Sequence, residues 1–201
     1  MEKASLVLAA LLFAFAPAAF CGPSRTVAEL VGTPVLNRTG EKLGVVKDVV
    51  FDARDGAIVA ITVEYGRWLR VASHEAAFAP DEFAFGEGKL AIALSPAALR
   101  RAPAIGWPEW PALRASYVIG REVRDRLRRD SGEMTDLVID LSELRVRYAV
   151  IDVRDDWEER PRLLRLPFSS FNFPREFGEF PRLKVRREQL AADGAGASVR
   201  R

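Results

Sequence analysis

The 201 residues include one cysteine, Cys21, and one histidine, His74. A lone cysteine excludes an intramolecular disulfide, so the hydrophobic core alone must hold the fold. One histidine with no thiol in reach excludes the common zinc sites. Ser73 stands beside His74, but neighbours in a strand point to opposite faces. The sequence has no Gly-x-Ser-x-Gly elbow, no phosphate-cradling glycine loop and no His-Glu-x-x-His pattern. It reads as a non-enzyme, with no cofactor and no metal. A charge excess is lacking too: 30 basic residues face 28 acidic ones, a formal charge of +2, and nucleic-acid binding is not expected. The one long apolar run, Leu6 to Ala16, is half the roughly 20 residues a membrane-spanning helix needs.

That run instead suits a cleaved secretory signal over residues 1–21. Lys3 precedes it, and Ala16-Pro17-Ala18 and Ala19-Phe20-Cys21 are both small-residue cleavage patterns. A periplasmic or secreted location is expected. Lipidation at Cys21 is disfavoured, because Phe20 occupies the position that should be small. A cut after Cys21 leaves no thiol, which suits an oxidising compartment.

The most patterned stretch runs from Leu43 to Tyr65. Leu43, Val45, Val49 and Phe51 alternate along one strand, interrupted by Lys47, and Val59, Ile61, Val63 and Tyr65 along a second. Period two predicts half-buried strands, and Arg54-Asp55-Gly56 supplies the turn of a hairpin. The pattern returns: Gly32, Val35, Gly44, Asp48 and Asp52 are matched 88 residues later by Gly120, Val123, Gly132, Asp136 and Asp140. After that an extra residue in the second turn aligns Ala60-Ile61-Thr62-Val63 with Ala149-Val150-Ile151-Asp152. An internal repeat follows.

The first unit is expected over 27–101, a Pro/Trp linker over 102–116, the second unit over 117–192 and a disordered tail over 193–201. Leu30 to Val35, Trp68 to Val71, Ala76 to Ala79 and Lys89 to Leu94 read as further strands. Ser95 should cap a short helix through Leu99, with Pro96 in its first turn. Leu164 to Phe168, Leu183 to Val185 and a helix over Arg187 to Leu190 are the second unit's counterparts. Trp107 and Trp110 should plug the surface between the units.

Leu30-Val31-Gly32-Thr33-Pro34-Val35, Gly40-Glu41-Lys42-Leu43-Gly44 and Asp48-Val49-Val50-Phe51-Asp52 together resemble the PRC-barrel family. Ala79-Pro80 and Ser95-Pro96-Ala97-Ala98-Leu99 resemble the end of its domain, and Ala102-Pro103 running into Trp110-Pro111 resembles its secreted bacterial members. The family includes the cytoplasmic domain of the reaction-centre H subunit and the C-terminal domain of the ribosome maturation factor. The second unit is a divergent copy, with Arg121-Glu122 in place of Thr-Pro and Arg126 to Arg129 in place of the glycine turn. The resemblance implies an all-β chain of two small antiparallel barrels in tandem, each ending in a short helix. It also implies an adaptor or assembly role with no shared catalytic site.

Two clusters are the candidates for chemistry. Asp48, Asp52, Asp136 and Asp140 could hold a hard cation or serve as acid and base, but carboxylates four apart on a strand lie about 13 Å from each other. They are expected to cap turns or face solvent at strand ends. Arg124, Arg126, Arg128 and Arg129 crowd the second unit's turn, where the first unit has Arg38. They are the candidate anion or partner contact, against a self-neutralising loop with Asp125 and Asp130. The expected partner is a protein of the envelope, the alternative an anionic membrane surface.

Overall fold

The computed structural model describes residues 24–66, 74–102, 109, 111–153, 162–175 and 178–186. The signal segment, Trp68 to Val71, Ser73, Trp107, Trp110, the helix over 187–190 and the tail lie outside these residues.

The first sheet is built from β2 (Pro34–Leu36), β3 (Lys42–Asp52), β4 (Ile58–Tyr65), β5 (His74–Phe78), β6 (Phe83–Gly86) and β7 (Lys89–Ile92). The second uses β9 (Glu122–Arg124), β10 (Asp130–Asp140), β11 (Arg145–Val153), β12 (Arg162–Pro167), β13 (Phe171–Asn172) and β14 (Arg182–Leu183). Both run in the same order, β5-β4-β3-β2-β7-β6 and β12-β11-β10-β9-β14-β13, and both curl into half-barrels. The all-β, two-unit architecture is as expected. Each unit has a helical turn at its start, α1 (Val27–Leu30) and α3 (Ala115–Val118). α2 (Pro96–Leu99) closes the first unit, with the Ser95 hydroxyl accepting from the Ala98 N–H at 3.1 Å.

Strand period two survives in β3 and β4 only between two bulges. Val46 pairs with Val63 and Asp48 with Thr62, so Lys47 is an extra residue; Val50 pairs with Ala60 and Phe51 with Ile58, so Val59 is another. A bulge leaves one residue outside the ladder and resets the alternation. Hence Lys47 is exposed while Val46 and Asp48 are buried, and Val59, expected inside, is 48% exposed. In the second sheet the extra residues are Thr135 and Arg147, each 88 positions after its counterpart. The registers therefore contain no added turn residue. Ala60 corresponds to Tyr148 rather than Ala149, and buried Ile61 and Val63 to buried Ala149 and Ile151. The slip arose because Ala60 and Ala149 are identical in type but lie on opposite faces.

Gly44 and Gly132 share one cause: a side-chain carbon on either would collide with the carbonyl oxygen of Glu64 or Asp152 on the neighbouring strand. The expected strand over Leu30 to Val35 is instead α1 followed by β2. Thr26 accepts from the Glu29 N–H, and Glu29 accepts from the Thr26 N–H at 2.9 Å, a capping box that starts a helix.

The leading strands cross over. β1 (Ser24–Thr26) pairs with β10, Thr26 opposite Val138 and Ser24 opposite Asp140. β8 (Ala112–Arg114) pairs with β3, Arg114 opposite Val50 and Ala112 opposite Asp52. Position 114 follows 26 by 88, as 138 follows 50. Each unit thus completes the other's sheet with its first strand. Boundaries at 27–101 and 117–192 leave both strands outside the units, and the linker expected over 102–116 ends in β8 and the first residues of α3.

The two hairpin turns also meet. Ile58 N–H donates to the Leu144 carbonyl and Val146 N–H to the Gly56 carbonyl, both at 2.8 Å. Gly56 has φ 81°, and Leu144 takes the same left-handed region at φ 49°. One continuous core results. Phe51, fully buried in β3, lies edge-on to Phe168 and Phe173 at centroid distances of 5.8 and 5.4 Å. Val49, Leu137 and Ile139 point inward as expected.

Candidate functional site

The four aspartates do not converge. Asp48 and Asp136 reach across to the opposite unit's leading helix. Asp48 Oδ1 accepts from the N–H of Ser116 at 3.1 Å and of Val49 at 2.8 Å. Asp136 Oδ1 accepts from the N–H of Ala28 at 3.3 Å and of Leu137 at 2.8 Å. Each carboxylate supplies an acceptor to a helix start whose N–H groups have no partner within the helix. Asp52 and Asp140 close the hairpin turns instead, accepting from Arg54 N–H at 2.8 Å and Ser142 N–H at 2.9 Å. The turn-capping expectation holds for the second pair; solvent exposure does not, since Asp48 and Asp140 are buried. Sequence spacing could not show that Asp48 and Asp136 cap helices 68 and 108 residues away.

The exchange is unequal in one respect. Asp48 also meets the Ser116 hydroxyl and lies 3.8 Å from the Arg114 guanidinium, which pairs with Glu75 at 2.7 Å. The corresponding residues 88 away are Ala28, Thr26 and Leu163, so Asp136 has only its backbone donors among these. Removing a buried carboxylate beside a largely buried cation costs more than removing a cap. Asp48→Ala should lose about 2–4 kcal/mol and Asp136→Ala about 1 kcal/mol by urea unfolding. Equal losses would show that the Arg114 environment adds nothing.

The Arg54 side chain, hydrogen-bonded to Asp52, holds that carboxyl below its usual range, and the Ser142 hydroxyl does the same for Asp140. Depressed folded-state values mean these groups stabilise above the ordinary carboxyl range. Their contribution is lost as pH falls from that range down through the depressed folded-state values.

His74 lies exposed on β5, its ring 5.7 Å from that of Tyr65. Glu75 is turned to Arg114 and not toward it.

The four arginines divide. Arg124 donates to Glu122 at 2.7 Å and stacks 4.1 Å over the Phe180 ring. Arg129 pairs at 2.7 Å with Asp125, whose side chain is fully buried and also accepts from Leu127 and Arg129 N–H. Asp125 does the work of Asn37, which accepts from Thr39 and Glu41 N–H in the first unit. The turn is no longer than that one, and Arg128, at φ 64°, stands where Gly40 does at φ 83°. Only Arg126 and Arg128 point their charge outward. Arg129→Ser should cost about 1–3 kcal/mol, because it strips a buried carboxylate of its cation. Arg126→Ser should stay within about 0.5 kcal/mol, and thermal melts compare the two.

Beside this turn lies a groove the sequence did not suggest, of about 520 Å³. Arg54, Arg175, Arg182 and Lys184 line it with Asn172 and one carboxylate, Glu179. It joins the first unit's hairpin turn to the β13–β14 connection, pieces more than a hundred residues apart. A second groove, between Leu43, Tyr65 and Leu99, is mainly apolar. Among the described residues no group of three metal-binding side chains comes together, and no helix is long and apolar enough to cross a membrane.

Residues 24–90, a third of the chain, match the PRC-barrel domain, a family of non-catalytic modules. No curated protein matches the chain.

Proposed function

We propose, from the PRC-barrel domain over residues 24–90, that the protein is a non-catalytic assembly module of the bacterial envelope that holds a protein partner. The observation that carries this reading is the fate of the acidic positions. All four aspartates that could have done chemistry act as acceptors inside the fold, which fits a scaffold. The equal registers of the two sheets support descent of both units from one duplicated domain. The apolar run Leu6 to Ala16 and the small residues after it support export.

Crosslinking in the native host, followed by capture from the envelope fraction, tests the role. A partner enriched there over an unrelated exported protein supports it. N-terminal sequencing should find the mature chain starting between Ala19 and Gly22; an intact Met1 in cytoplasmic protein would sink the location. The alternative, an adaptor for anionic membrane, rests on the outward-facing Arg126 and Arg128 and is separated by vesicle binding.

A further inference from the structure

We infer that the groove lined by Arg54, Arg175, Arg182 and Lys184 is the docking surface of this module and takes an acidic peptide segment, an inference that rests on the protein-binding reading above. Arg54 serves the hairpin turn through Asp52, but the fold does not require the charge of Arg182 and Lys184. Arg182 lies opposite Arg124 across the β14–β9 ladder, where the first sheet pairs Ala91 with Leu36. Lys184 and Arg128 stand at the places of Ala93 and Gly40. Two arginines directly opposite each other repel, whereas the alanine–leucine pair does not. The same scaffold is thus built once without this charge and once with it, at some cost to stability.

The groove is also shaped on one unit only. Phe83 pairs with Ile92 nine residues on, but Phe171 pairs with Leu183 twelve residues on. The longer connection carries Arg175 and Glu179 and places Phe180 under Arg124. Glu179 shows how a carboxylate sits there: it accepts from Arg175 N–H at 2.9 Å and lies 3.4 Å from the Arg182 guanidinium. Lys184 donates to the Ser169 carbonyl, a neutral acceptor, at 2.7 Å. Guanidinium forks bind carboxylates and phosphates in two-point fashion. Concavity decides between partners. Cations on the walls of a groove reach an extended chain that enters it, but they meet a flat bilayer poorly.

The full chain is titrated against a fluorescent Asp/Glu-rich peptide, and against a Ser/Gly peptide, a phosphoserine peptide, and phosphatidylcholine vesicles with and without phosphatidylglycerol. The acidic peptide should bind best, and salt should weaken it. Arg182→Ser with Lys184→Ser should weaken it about tenfold while the melting temperature does not fall. If that variant unfolds, Lys184→Ser alone, at an exposed side chain, should weaken it about threefold. Binding no better than Ser/Gly, binding unchanged in a folded variant, or tighter binding to phosphoserine peptide or anionic vesicles would each overturn the inference. Envelope capture separates the two claims. A partner held equally by the folded variant removes the groove and keeps the assembly role, whereas acidic-peptide binding with no envelope partner does the reverse.

Discussion

A chain ended at Ala102 should not yield a folded first unit. It would lack β8, baring the donors and acceptors of Val50 to Asp52 that Ala112 to Arg114 satisfy. It would lack α3, whose Ala115 and Val118 are fully buried, and with it the Ser116 donor to Asp48. Its own β1 would lose β10, and Phe51 would lose Phe168 and Phe173. Small domains have only a few kcal/mol to spare, and these losses together exceed that margin. Circular dichroism and urea titration should show no cooperative transition. A sharp transition with native-like strand content would mean that the units are self-sufficient despite the exchange.

Phe51→Ala is the most damaging single substitution expected. The ring is fully buried and lies edge-on to two rings of the other unit, so truncation opens a cavity where the units meet. The cost should be about 3–5 kcal/mol. Because the core is continuous, both units should melt together in one transition at a lower midpoint. Calorimetry that resolved two peaks would contradict this shared core. A loss under about 1 kcal/mol would place the ring outside it.

The hairpin and its turn were legible because period two and Gly56 are local signals. Val59 was misplaced because a bulge has no composition of its own, although Lys47 marked the first one by interrupting an apolar row. The α1 helix had a readable signal in Thr26 and Glu29, masked by the β-branched residues that follow. The crossed strands were not legible, since three residues such as Ala112 to Arg114 carry no period and their partner is chosen in space. The same holds for the groove. Among the arginines, the four-residue spacing of Asp125 and Arg129 was the available hint that Arg129 serves the turn.

The crossed strands also impose an order on synthesis. A ribosome delivers Asp52 well before Val118, and at about 5–20 residues per second the interval is on the order of several seconds. For that time Val49, Val50 and Phe51 are out while the strand that pairs beside them is still unmade. An open, apolar edge of this kind is what pairs with other chains. Until the second half arrives, the first half should therefore be open to wrong pairing, whether on the ribosome or after export.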